Sequence, residues 1–208
     1  MNKLITEFIG TFFLVLTIGC TVIAPSAGVI APLAIGFMLM VMVYAGGHVS
    51  GAHYNPAVTF GLVVRGRCSA QDAVGYVLAQ VLGAVLAALA AGALKGGAAP
   101  SPADVSTGIV YLAEFLFTFA LVYVVLNTAT AKGTSGNSFY GLAIGSTVMA
   151  SAFAVGSISG GAFNPAVAVG ACVMGLSSWG SLWVYLLANL TAGLFAGVVF
   201  RVVNPQDK

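Results

Sequence analysis

The chain writes one unusual phrase twice, "HVSGAHYNPAVTFG" from His48 to Gly61 and "SISGGAFNPAVAVG" from Ser157 to Gly170. A shift of 109 positions lays Ser50, Gly51, Asn55, Pro56, Ala57, Val58 and Gly61 on Ser159, Gly160, Asn164, Pro165, Ala166, Val167 and Gly170. The same shift lays Tyr76 on Tyr185, and a shift of 107 lays Glu7, Phe8 and Thr11 on Glu114, Phe115 and Thr118. Repeats in register over this distance predict one domain over 1–208 made of two copies, about 1–95 and 105–208. The "GGAAPSPAD" stretch, Gly96 to Asp104, reads as the linker between them. Any fold must therefore find, twice, a place where Pro inside apolar sequence does no harm.

The solvent for such a fold is lipid. Hydrophobic residues make up 60% of the chain and charged residues 6%, against about 25% charged in a soluble domain. Runs long enough to cross a bilayer, about 20 residues each, lie at 4–24, 31–49, 70–93, 108–128, 138–156 and 179–201. Two shorter apolar pieces, 56–64 and 165–175, follow the Asn-Pro pairs. As helices these would reach roughly 15 Å, half a bilayer, and they read as re-entrant. Three spans separate equivalent points of the copies, so the second copy enters the membrane upside down. Such inverted repeats carry their site at the repeat interface, near the midplane.

Charge placement predicts the orientation. With the N-terminus inside, Lys3, Arg65, Arg67, Lys132, Arg201 and Lys208 fall on the cytoplasmic side and only Lys95 outside. The Lys3-led apolar start and "LTIGC" (Leu16 to Cys20) resemble a secretory leader. Glu7 inside that run argues against cleavage. Short loops without a eukaryotic targeting signal predict a prokaryotic inner membrane.

Asn is a strong N-cap and Pro is favoured at the first helical position, where its missing N–H costs nothing. Asn55-Pro56-Ala57 and Asn164-Pro165-Ala166 are thus helix starts, expected to meet tip to tip from opposite faces. The preceding loops, His48–Tyr54 and Ser157–Phe163, are Gly- and Ser-rich, and non-helical backbone at membrane depth must be buried or line a water-filled cavity. Two facing N-termini concentrate about half a positive charge each. A cation meets a barrier there, and a neutral molecule with an oxygen acceptor does not. Packing kinks in two long helices would be the plainer reading, but they leave the half-length segments unexplained.

These motifs resemble the major intrinsic proteins, the aquaporins and glycerol facilitators, over essentially the whole chain. The resemblance implies an all-α membrane fold of six helices plus two half-helices, and a homotetramer with one pore in each protomer. It also implies an outer constriction, placed here by family spacing at Ile35, Ala152, Gly161 and Val167. Water-selective members carry Arg where this chain has Val167. Glycerol facilitators usually keep that Arg with an Asp close behind, which Val167-Ala168-Val169-Gly170 lacks. The quartet here is small or aliphatic, so the expected filter is wider and less polar than a strict water pore.

Glu7 and Glu114 sit inside apolar runs, where ionisable groups are functional candidates. A proton relay would need further acids or His along a path. The family resemblance implies instead that each accepts hydrogen bonds from a re-entrant loop. His48 is assigned to ordering the first loop or touching the vestibule. His48 and His53 have no acidic or Cys neighbours, so no metal is expected, and Cys20, Cys68 and Cys172 form no metal or redox motif. No cofactor, nucleic-acid partner or catalytic set is expected. The sequence thus predicts a passive channel in the lipid bilayer for water and small uncharged solutes. The alternative is an ion-coupled secondary transporter, for which midplane charge is scarce.

Overall fold

The computed structural model describes residues 1–24, 26–95 and 106–207, and these are helical with no strand among them. Eight α-helices follow in order: α1 (Asn2–Val22), α2 (Ala31–Ser50), α3 (Pro56–Arg65), α4 (Ala70–Lys95), α5 (Thr107–Val125), α6 (Tyr140–Ser159), α7 (Pro165–Val173) and α8 (Leu182–Val203). Six are long and apolar enough to cross a membrane. The linker Gly96–Asp104 and the basic Lys208 lie outside the described residues.

Only 22% to 44% of each span's apolar window is buried against the rest of the protein, so the remaining apolar surface must face lipid or another subunit. Leu78, Leu112 and Val202 are among the large side chains left on that outer surface. Inside, the packing respects the duplication. Helix α1 packs on α4 and α2 as α5 packs on α8 and α6, and α2 meets α6. Each half-helix lies on the last span of the other copy, α3 on α8 and α7 on α4.

Those two crossings need glycine. A Cβ on Gly193 of α8 would press into the backbone of Ala57, and one on Gly170 of α7 would lie 3.4 Å from Ala84 O and 2.8 Å from Val15 Cγ1. Without side chains at these points, backbone approaches backbone closely, as membrane packing favours when the hydrophobic effect no longer drives helices together.

The long helices stop at glycines. α2 ends at Gly51 (φ 87°) and α6 at Gly160 (φ 85°), both left-handed, a conformation free of Cβ penalty only for Gly. The helices therefore run two residues past His48 and Ser157, and the true loops are the short 51–55 and 160–164. Residues Leu126–Thr130 add a π-helical turn to α5, without a counterpart on α1.

Candidate functional site

Both half-helices start as Asn-Pro dictates. Asn55 and Asn164 are extended (φ −157°, ψ 120° and φ −163°, ψ 117°), and each Oδ1 accepts the N–H two residues on, from Ala57 at 2.8 Å and Ala166 at 2.9 Å. Pro56 and Pro165 occupy the first turn. The caps are tied across the copies: Asn55 Nδ2 donates to Phe163 O and Asn164 Nδ2 to Tyr54 O, each at 2.9 Å. An amide nitrogen carries two N–H groups, so one remains on each Asn beside the cavity that both residues line.

The loops before the caps are held from behind by two carboxylates. Glu7, fully buried, accepts from Ser50 Oγ (2.6 Å), His53 N (3.0 Å), Tyr54 N (2.7 Å) and Gln80 Nε2 (2.8 Å). Glu114, also fully buried, accepts from Ser159 Oγ (2.8 Å), Ala162 N (2.9 Å) and Phe163 N (2.7 Å). Tyr76 and Tyr185 finish the support, each hydroxyl donating at 2.7 Å to the last helical carbonyl, Ser50 O or Ser159 O.

This arrangement sorts the backbone by polarity. The loop N–H groups turn toward the glutamates. The carbonyls of Ala52, His53, Gly160, Gly161 and Ala162 accept no hydrogen bond among the described residues, and all five residues line the cavity. The turn requires left-handed backbone at Ala52 (φ 50°), Tyr54 (φ 51°) and Phe163 (φ 48°). A bulky residue rarely adopts that conformation, so the surroundings must enforce it. Tyr54 and Phe163 are accordingly buried, at 2% and 1% exposure, and Tyr54 Oη donates to Met42 O at 3.0 Å.

The cavity has a volume of about 650 Å³ and reaches past both asparagines to Leu121, Val125 and Ile144. Ile35, Ala152, Gly161 and Val167 all line it. Val167 and Ile35 are buried, while Ala152 and Gly161 are half-buried. Apart from the asparagine amides and loop carbonyls, its wall is mostly aliphatic, and no carboxylate, Lys or Arg lines it.

Of the two roles expected of His48, ordering the loop finds no hydrogen bond to carry it. The residue is exposed on the last turn of α2 and makes no side-chain hydrogen bond among the described residues. The helix carries on through Gly46 and Gly47 and stops only at the left-handed Gly51, so His48 stays helical, and the loop is held by Glu7, Ser50, Tyr76 and Gln80. His53 is the buried histidine, with Nδ1 3.0 Å from Thr59 Oγ1 and its ring against Tyr76. No group of three or more His, Cys, Asp or Glu that could hold a metal occurs among the described residues.

Gln80 and Asn189 escaped the sequence reading. Both are fully buried, and they are related by the shift of 109. A polar side chain inside each last span was the signal available. Gln80 joins Glu7 to Thr59 (3.1 Å), while Asn189 accepts from Thr118 at 2.9 Å. Arg65, expected on the cytoplasmic side, is only 5% exposed. It pairs with Asp207 and lies over the Phe200 ring at 4.5 Å.

With this geometry in view, comparison with known proteins identifies the class. The model of the family described as "Major intrinsic protein" matches residues 1–200. The chain belongs to the major intrinsic protein family. It is 35% identical to "Glycerol uptake facilitator protein-like 6" of Lactiplantibacillus plantarum over the full length of both chains. It is 37% identical to "Aquaporin NIP1-4" of Oryza sativa subsp. japonica over 99% of this chain and 79% of that one. Among solved structures, the aquaglyceroporin from Plasmodium falciparum superposes with a TM-score of 0.77 at 23% identity, covering 99% of this chain and 97% of that one. At that identity the likeness speaks for the fold. This major intrinsic protein is an integral multi-pass membrane channel for water or small solutes, not an enzyme.

Proposed function

We propose that the protein is a passive pore for water and small uncharged solutes, in which the two Asn-capped helix N-termini exclude protons and ions. One observation carries this reading: both asparagines and both loops whose carbonyls lack a hydrogen-bond partner among the described residues line a single cavity, and no carboxylate, Lys or Arg lines it. Donors at the centre orient the oxygen of a passing molecule, and the carbonyls accept its hydrogens. The helix termini oppose a cation with about half a charge each. Val167 contributes no positive charge at the outer constriction, so the central pair carries the barrier alone. The quartet Ile35, Ala152, Gly161 and Val167 sets size and polarity, favouring solutes broader than water. The glutamates and their loops hold the carbonyls in place.

The protein acts as a homotetramer in a prokaryotic inner membrane with both termini cytoplasmic. Lys3, Arg65, Arg67, Lys132 and Arg201 support that orientation. Stopped-flow light scattering on proteoliposomes tests the function. Water and glycerol flux proportional to the gradient, weakly temperature-dependent and without proton leak, is the expected result. Flux tied to an ion gradient with steep temperature dependence would replace the channel with a transporter.

A further inference from the structure

The outer quartet has an inverted copy in the same passage. The shift of 109 carries Ile35, Ala152, Gly161 and Val167 onto Ile144, Val43, Ala52 and Val58. Helices α2 and α6, which bear the two isoleucines, begin 109 positions apart, at Ala31 and Tyr140. They cross at equivalent glycines: a Cβ on Gly36 would lie 2.7 Å from Gly145 O, and one on Gly145 would press into Gly36 O. The crossing therefore sits beside both isoleucines, and the side chain that Ile35 presents on the outer side is presented by Ile144 on the inner side. Both line the main cavity.

The two rings differ in bulk. Ile and Val recur unchanged, but Ala152 is answered by Val43 and Gly161 by Ala52. Two turns along each half-helix, Ala171 is answered by Leu62. Each of these changes adds carbon on the cytoplasmic side. The cavity follows the difference. Outward it takes in the whole quartet and Ala171 and runs on to Val29 and Phe153. Inward it reaches Ile144, Ala52 and Val58, and neither Val43 nor Leu62 lines it. Those two are buried, at 2% and 4% exposure, in one apolar cluster with Ile144 and Val58.

We propose that Ile144, Val43, Ala52 and Val58, backed by Leu62, form a second and tighter constriction on the cytoplasmic side of the asparagines. The outer quartet decides what enters, and the inner ring decides which entrants cross, sorting small neutral polyols by length and girth. The ring's side chains offer no partner for the water a polyol carries, so its hydroxyls are left with the loop carbonyls of Ala52 and His53, and an unmatched hydroxyl is costly. A close-packed interior yields little to a larger solute. One methylene of misfit in an apolar pocket is worth about tenfold or more, so the added carbons suffice to make this ring the selective one. The inference rests on the channel reading and adds to it the place where size is judged.

Val43→Ala with Ala52→Gly turns the inner ring into a replica of the outer quartet. Ala52 holds φ 50°, a conformation that glycine adopts readily, so Ala52→Gly alone serves if the pair fails to fold. Stopped-flow measurements on proteoliposomes compare water, glycerol and erythritol. The pair should raise erythritol flux relative to water by about tenfold, with a smaller gain in the same direction from Ala52→Gly. Ile144→Ala and Ile35→Ala remove one side chain from equivalent places, and Ile144→Ala should give the larger gain. A larger gain from Ile35→Ala, or an erythritol-to-water ratio that neither inner-ring variant moves, overturns the inner ring as the tighter one. Failure of the channel reading looks different: the unmodified protein would then pass neither water nor glycerol down a gradient, and the inference would fall with it.

Discussion

Half-helix α3 is capped by Asn55 and ends at Arg65, whereas α7 is capped by Asn164 and gives way, after Val173, to Met174, the counterpart of Arg65 under the shift of 109. At their N-termini the two copies agree in cap geometry, in the crossed Asn bonds and in the left-handed residues before the cap. At their far ends they share almost nothing. Arg65 is buried with Asp207 and Phe200, while Met174 is buried in an apolar cluster. Where the Asn residues and the loops before them line the cavity, both copies adopt one geometry. Where the half-helices meet different sides of the membrane, no such constraint holds them together.

The supporting glutamates should show the largest effects. Glu7→Ala would strand four donors and Glu114→Ala three of those identified. A buried donor left unsatisfied costs about 1–3 kcal/mol, so each variant should lose on the order of 3 kcal/mol or more and most of its water permeability. Glu7→Ala should be the worse, because Gln80 and through it Thr59 also lose their anchor. Thermal unfolding in detergent reads the order. A more damaging Glu114→Ala would mean that the extra Gln80 bond carries no weight.

The asparagines should respond equally. Asn55→Ala and Asn164→Ala each remove a cap, worth about 1 kcal/mol, and one cross-copy hydrogen bond, worth about 1 kcal/mol. A loss of about 2 kcal/mol is expected from each, with cation leak increased, measured by unfolding and by proteoliposome conductance. Unequal losses would show that the two tips are not mechanically equivalent.

How much of this was legible in the chain follows the same division. Asn-Pro is a local instruction, so both half-helix starts could be read directly, as could six spans from their length. The loop boundaries could not, because nothing local distinguishes His48 as helical until Gly51 is seen in a left-handed turn. Tyr54 and Phe163 run against propensity by holding positive φ, a conformation imposed by packing. Arg65 looked like an ordinary membrane-edge cation because its partner, Asp207, is 142 positions away. Gln80 and Asn189 stood in plain view as polar residues inside apolar spans.

The residues following the caps sharpen the comparison at the pore itself. Val58 and Val167 are equivalent and both line the cavity. Val167→Arg should restore a donor and a positive charge at the outer constriction, cutting glycerol and urea flux about tenfold, one unit of 1.4 kcal/mol, with water largely retained. Swelling assays over a solute series measure it. Unchanged selectivity would place the constriction elsewhere along the cavity.

The smallest effect belongs to the end that α7 does not share. Asp207 accepts from Lys132 N at 2.6 Å and pairs with Arg65, and these contacts hold its carboxyl below the ordinary carboxylate range. A depressed folded pKa contributes stability that is present above the unfolded value, about 3.9, and lost as pH falls through the folded one. The 204–207 segment should therefore stay anchored from neutral pH down past pH 4 and loosen only in stronger acid. Asp207→Asn should loosen it at neutral pH, seen as faster hydrogen exchange at Lys132 N–H, by several-fold, with water permeability little changed. Since Met174 makes no such tie, the α7 end should show no pH dependence over the same window. Equal acid sensitivity at both ends would mean that the Arg65–Asp207 pair does not set the difference between them.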